Sequence, residues 1–342
     1  MRLSDFDYHL PPELIAQHPA AERDQSRLMV IDRRRQSVEH RHFHEISQYF
    51  NAGDMLALND SRVIHARLNG VIESSGRRAE VLLLKRMEDG AWEALVKPGR
   101  RLMPGSRVTV AGIKPGVEGD MTVSILSAGE GGLRSVSLGG NVLPDGYGSM
   151  PLPPYIHARL DDDERYQTVY SRPEGSAAAP TAGLHFTAGL LDGLKSKGVN
   201  TSFVTLHVGL DTFRPVRAED PSMHHIHTEY GLVSRDTADL INDTHSRGKR
   251  VVAVGTTSVR LIEAASLEGR AGPFEGQVGL FILPGYRFQV TDAMVTNFHL
   301  PKSTLLMMVS AFAGREFILD CYEVAKKEGY RFFSFGDAML II

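Results

Sequence analysis

Several stretches of the chain set titrating side chains beside glycine turns and hydroxyl residues, the combination that acid–base chemistry on a small molecule requires. In Ala179-Pro180-Thr181-Ala182-Gly183-Leu184-His185-Phe186-Thr187, the small residues let the backbone approach a ligand closely. His185 can act as an acid or base there, and Phe186 can stack on a purine. The ordinary alternative is a tight loop around a core histidine. In Val254-Gly255-Thr256-Thr257-Ser258-Val259-Arg260 a strand ends, a glycine turns and hydroxyl residues open a helix, whose first N–H groups suit a carboxylate or a phosphate. Plain helix capping is the alternative. No Gly-Lys-Ser/Thr follows and no Gly-x-Gly-x-x-Gly is present, which argues against a Walker loop and a Rossmann dinucleotide or methyltransferase fold.

A third stretch carries His207-Val208-Gly209-Leu210-Asp211, with His225, His227 and Glu229 beyond it. On a strand these last three share a face, a spacing for a metal or for proton transfer. In Thr296-Asn297-Phe298-His299-Leu300-Pro301-Lys302-Ser303, Asn297 and His299 alternate on one side, which suits an anion or adenine subsite. The alternative is a strand-to-helix turn that Pro301 stops. A fifth candidate, Asn59-Asp60-Ser61-Arg62, reads equally as a hinge.

The elements that must position these residues fall into two textures. Residues 61–149 read as strands: Val63-Ile64-His65-Ala66-Arg67-Leu68 alternates, and two apolar runs flank the Asp89-Gly90 turn, a hairpin signal. No helix pattern occurs there, so a small all-β barrel or sandwich is expected. Gly146 to Tyr155 is rich in breakers and reads as a boundary. Beyond it strand and helix alternate: a helix from Thr187 to Gly198, an apolar strand Val251-Val252-Ala253-Val254, and helices starting after Gly255 and at Ser303. The expected fold is α/β, a barrel-like body formed by residues 1–60 and 150–342, interrupted by a β-barrel insertion at 61–149.

Composition narrows the classes. The chain has 342 residues, 42% hydrophobic and 23% charged, the balance of a globular protein. One cysteine, Cys321, excludes an internal disulfide and a cluster held by three or four thiolates of this chain. Acids stand where a signal peptide would be apolar, and the longest apolar run is too short to span a bilayer, so a cytoplasmic protein is expected. The net charge is −3, but unevenly spread. Residues 62–114 hold 11 Lys and Arg against 5 Asp and Glu; the remainder holds 27 against 36. A basic module on an acidic body suits local polyanion binding.

Taken together, these stretches resemble the S-adenosylmethionine:tRNA ribosyltransferase-isomerase family of queuosine biosynthesis. The matching runs include Phe6-Asp7-Tyr8-His9-Leu10-Pro11-Pro12-Glu13-Leu14, Arg23-Asp24-Gln25-Ser26-Arg27-Leu28, Asn59-Asp60-Ser61-Arg62-Val63, Ala94-Leu95-Val96-Lys97-Pro98-Gly99, Tyr166-Gln167-Thr168-Val169-Tyr170, residues 179–187, Thr205-Leu206-His207-Val208-Gly209 and residues 296–306. They cover essentially the whole chain. Departures such as Ser61, Asp211, Ile226, Thr228 and Leu283 remove no titrating group.

The resemblance implies that the ribosyl group of S-adenosylmethionine is transferred and isomerised onto 7-aminomethyl-7-deazaguanine at the tRNA anticodon wobble position. Epoxyqueuosine forms, and adenine and methionine leave. S-adenosylmethionine is then a consumed co-substrate, with no permanently bound cofactor and no metal. It implies acid–base roles for His185, His207 and His299, with Glu229 as an alternative base. Thr181, Gly183, Phe186, Thr256, Thr257, Ser258, Asn297 and Phe298 would line the substrate site, with Thr256, Thr257 and Ser258 on the methionine carboxylate. Arg62, Lys97, Arg100 and Arg101 would contact tRNA phosphates. A monomer is expected, since no heptad or large apolar edge is evident. The rivals are a metal-dependent hydrolase built on His225, His227 and Glu229, a non-enzymatic RNA-binding module, and an ordinary methyltransferase.

Overall fold

The computed structural model describes residues 1–87, 89–129, 132–139, 144–209, 216, 218–224, 226 and 228–342. The chain divides into two compact units, Met1–Ser61 with Pro153–Arg172 and Pro180–Ile342, and Arg62–Leu152 with Pro173–Ala179.

The first unit is the mixed α/β body. Its nine-stranded sheet runs in the order Phe274–Val278, Glu229–Val233, Asn200–Leu206, Met55–Asn59, Val251–Val254, Ala293–Asn297, Ala338–Ile341, Arg27–Asp32, Ser37–His42. The four strands from Asn200–Leu206 to Ala293–Asn297 are mutually parallel. Met55–Asn59, Val251–Val254 and Ala293–Asn297 are buried throughout, which is why they read as unbroken apolar runs. Strands near the rims turn antiparallel: Glu229–Val233 against Asn200–Leu206, and Ser37–His42 against Arg27–Asp32.

Five α-helices occur among the described residues, all in this unit: α1 Ala188–Ser196, α2 Arg235–Ser246, α3 Thr256–Ala264, α4 Thr304–Ala313 and α5 Arg315–Lys327. Their starts follow the sequence. The hydroxyls of Thr187, Ser234 and Ser303 accept from the N–H groups of Leu190, Thr237 and Leu306, each satisfying a donor that the first turn leaves open. No described helix is long and apolar enough to cross a membrane.

The second unit is a closed, six-stranded antiparallel barrel. Arg67–Ile72 pairs with Arg78–Arg86 on one side and with Arg107–Ala111 on the other, closing the circle. Alternation points Val81, Leu83, Trp92, Ala94, Val96, Val108, Val110, Val123 and Ile125 inward. Closure needs Gly70: a Cβ there would lie 2.4 Å from the Thr109 carbonyl oxygen. The strand expected from Val63 breaks instead. Arg62–Val63 pairs in parallel with Glu174–Ser176, and the barrel strand begins only at Arg67. This pairing draws 173–179 into the barrel unit, a non-local step that local patterning does not encode.

Candidate active site

Parallel order puts the carboxyl ends of four strands along one edge of the body sheet. Asn59-Asp60, Leu206-His207, Val254-Gly255 and Asn297-Phe298 leave the sheet there. The antiparallel neighbours bring their starts to the same edge: Ala338 lies opposite Asn297, Leu28 lies beside Ala338, and His207 donates its N–H to the Tyr230 carbonyl. Open α/β sheets bind ligands along this edge, because strand ends leave backbone groups and loops free to converge.

The Thr181–His185 turn packs against the Asn297 strand end. The Thr181 hydroxyl donates to Asn297 Oδ1 at 3.1 Å, and Asn297 Nδ2 faces both the Phe333 carbonyl (3.2 Å) and His185 Nε2 (3.1 Å). A carbonyl only accepts, so the Asn297 amide nitrogen is the donor. His185 Nε2 must then accept, which puts the proton on Nδ1, facing Ser26 Oγ at 2.7 Å. Both ring nitrogens are spent. Complete burial depresses the His185 pKa to about 3, and the nearby charges of Arg331 and Arg23 add to the effect. The imidazole is neutral near pH 7 and stacks on Phe43 with ring centres 5.0 Å apart.

Gly183 sits in this turn. A Cβ on it would lie 2.1 Å from the Tyr170 hydroxyl and 2.8 Å from Thr168 Cγ2. Gly183→Ala should displace the turn, costing about 1–3 kcal/mol as overpacking does. Thermal unfolding checks this; an unchanged midpoint would show that the turn has room.

His299 is held at its backbone by two tyrosines, donating its N–H to the Tyr322 hydroxyl and accepting from Tyr8. Its Nε2 meets Thr296 Oγ1 at 2.7 Å, and burial pulls its pKa to about 3. His207 differs. Burial lowers its pKa too, but its Nδ1 has no hydrogen-bond partner among the described residues, and its ring lies over Tyr230 with centres 5.8 Å apart.

Beside it, Glu229 accepts from the Gly209 N–H at 2.8 Å and pairs with Arg260 at 2.6 Å, both side chains 6% exposed. Arg260 also donates to the carbonyls of Leu280 and Val278. A carboxylate so engaged fixes backbone. At the start of α3, the Thr257 hydroxyl accepts from Asn59 Nδ2 and the Ser258 hydroxyl donates to the Val254 carbonyl. Asn59 also binds both backbone groups of Leu206, tying three strand ends together.

A family model described as "Queuosine biosynthesis protein" matches residues 3–341. The chain belongs to that family. It is also similar to the crystal structure of an S-adenosylmethionine tRNA ribosyltransferase from Thermotoga maritima. The two share 40% identity over 99% of this chain and 100% of that one, with a TM-score of 0.57. This membership of the queuosine biosynthesis family makes the chain a transferase.

Within the family member described here, the sheet edge gathers His185, His207, Glu229, Thr181, Gly183, Thr256, Thr257, Ser258 and Asn297 in one unit. Phe186 and Phe298 play another part. Both are fully covered: Phe186 stands edge-on to Phe43, and Phe298 packs among Tyr322, Tyr330 and Phe332. A ring with no exposed face has none to offer a base, so these two are core. His225, His227 and Asp211 lie outside the described residues. No group of three metal-ligating side chains occurs among the described residues.

Ser26 and Arg260, which orient His185 and Glu229, escaped the sequence reading. Arg260 had a signal: a cation inside the apolar run of α3 must find a buried partner. Ser26 had none, since its partner lies 159 residues away.

Lys97, Arg100 and Arg101 are exposed on the barrel unit. Lys97 faces Glu80 at 3.5 Å, while Arg100 and Arg101 have no ion pair among the described residues. Their loop is held from beneath by the buried Arg134, which donates to the carbonyls of Gly99 (2.6 Å) and Leu102 (2.7 Å). Arg62 donates its N–H to the Pro173 carbonyl in the short parallel pair.

Proposed function

We propose that this transferase moves and isomerises the ribosyl group of S-adenosylmethionine onto 7-aminomethyl-7-deazaguanine at the wobble position of tRNA, forming epoxyqueuosine and releasing adenine and methionine. The observation that carries the reading is the loop-lined carboxyl edge of the body sheet in a chain 40% identical, end to end, to an S-adenosylmethionine tRNA ribosyltransferase. The sulfonium acidifies its neighbouring carbon, loss of adenine needs a proton donor, and the attacking amine must be neutral. Acid–base groups in a dry pocket answer these needs, and no step calls for a metal or a resident cofactor. The protein works as a cytoplasmic monomer in this reading.

Among the histidines, His207 is the acid–base candidate that the geometry favours, because one of its ring nitrogens has no partner among the described residues while His185 spends both. The first-turn N–H groups of α3 at Thr256, Thr257 and Ser258 hold the methionine carboxylate. With the Ser258 hydroxyl already bonded to Val254, this falls to its backbone. Thr181 and Asn297 shape the neighbouring wall. Arg62, Lys97, Arg100 and Arg101 meet phosphates of the tRNA.

Two measurements test this. Incubation with S-adenosylmethionine and a tRNA bearing the aminomethyl base should release adenine and methionine in equal amounts, only when that tRNA is present. S-adenosylhomocysteine instead would mean methyl transfer. Neutralising Arg100 or Arg101 should reduce the slope of log affinity for tRNA against log salt by about one; a slope equal to the parent's would remove that residue from the interface.

A further inference from the structure

Asp60 leaves the carboxyl end of Met55–Asn59, a central strand of the sheet, directly after the asparagine that ties the strand ends together. Of the carboxylates on this edge, Glu229 is closed by Arg260, and Asp337 by Arg331 together with the N–H groups of Arg27 and Arg331. Asp60 has no ion pair among the described residues. Its Oδ1 accepts from the Thr205 hydroxyl at 2.7 Å. It is partly exposed, and so reachable.

Two elements bring charged or titrating groups to bear on it. The strand Asn200–Leu206 supplies Thr205. Residues 168–172 supply Arg172, whose backbone N–H donates to the Asp60 carbonyl and whose charge acts from a distance, and Tyr170. Burial holds Tyr170 well above the ordinary phenol range, hence neutral. Its hydroxyl is buried, has no hydrogen-bond partner among the described residues, and abuts the Gly183 turn. An anion with no cation paired to it, beside a neutral phenol, is complementary to a substrate ammonium.

We infer that Asp60 is the carboxylate that receives the aminomethyl ammonium of the tRNA base and takes its proton as the amine attacks the ribosyl carbon. One N–H bond breaks and its electron pair stays on nitrogen to form the C–N bond at the alkene carbon left once the sugar has opened and adenine has gone; the alkene π pair moves to the carbon beside the sulfonium, and the proton ends on an Asp60 oxygen. This rests on the function proposed above. Partial burial, which raises the Asp60 carboxyl above its ordinary range despite Thr205 and Arg172, also suits a proton acceptor.

The test compares the parent with Asp60→Asn and Asp60→Glu, reading adenine release against pH and S-adenosylmethionine affinity by calorimetry. Asp60→Asn should lose at least ~100-fold in turnover with S-adenosylmethionine affinity unchanged. Its rate should climb about tenfold per pH unit as the free amine is supplied by solution instead. Asp60→Glu should retain measurable turnover, with its pH profile displaced. Parent-like turnover in Asp60→Asn would overturn the assignment, and so would a lowered rate whose pH profile is unaltered, the mark of a structural role. Should Asp60→Asn fail to fold, an Asp60→Glu profile identical to the parent's would overturn it. A parent protein that releases no adenine would overturn the function reading itself, which separates the two failures.

Discussion

Replacing Arg260 with methionine should destabilise the body by about 3–5 kcal/mol, the cost of leaving a buried carboxylate without its cation. The pair is 2.6 Å apart and almost wholly covered, so solvent cannot take the place of the guanidinium. The loss spreads to backbone, because Arg260 also holds the carbonyls of Leu280 and Val278. The double variant Arg260→Met with Glu229→Leu should recover most of the stability, since replacing a whole buried pair by apolar side chains is often neutral or better. Urea unfolding followed by far-ultraviolet circular dichroism isolates this effect: every described α-helix is in the body, while the single tryptophan, Trp92, lies in the barrel and reports that unit through its fluorescence. A single variant within about 1 kcal/mol of the parent would show that the ion pair contributes little.

Acidification should be the second large effect. His185 and His299 have folded pKa values depressed to about 3 from an ordinary 6.5, both by burial first. Between these values the unfolded chain binds the protons and the folded one does not. Their stabilising contribution is therefore complete above about pH 6.5 and is lost as pH falls toward 3. Each histidine adds a slope of up to about 1.4 kcal/mol per pH unit, or about 5 kcal/mol over the full window, comparable with the whole stability of many domains. Asp60 opposes this weakly, because its raised carboxyl favours the protonated folded state. Urea midpoints at half-unit steps from pH 7.5 to 4.5 measure the slope. His185→Gln should remove about one proton's worth of it, and a slope equal to the parent's would mean that the imidazole is charged in the folded state.

The sequence by itself determined the local elements. The apolar run at Val251 to Val254, the hydroxyl caps at Thr187 and Ser303 and the Asp89-Gly90 hairpin are each decided by neighbours within a few residues. They sufficed for the fold class, an α/β body with a β-barrel insertion. Which of these side chains are sealed in the core was settled only by tertiary structure. Phe186 and Phe298 sit in motifs beside the polar site residues, yet they are sealed inside the body. The reason is geometric: one residue along a chain leaving a strand is enough to turn a side chain from the open edge to the packed interior. The partners that set protonation are likewise remote. Ser26 reaches His185 across 159 residues, and Arg260 reaches Glu229 across 31. A sequence names the groups that can titrate; only the packing around them decides which are neutralised, which are spent on backbone, and which, like Asp60 and His207, have no ion pair or a ring nitrogen with no partner among the described residues.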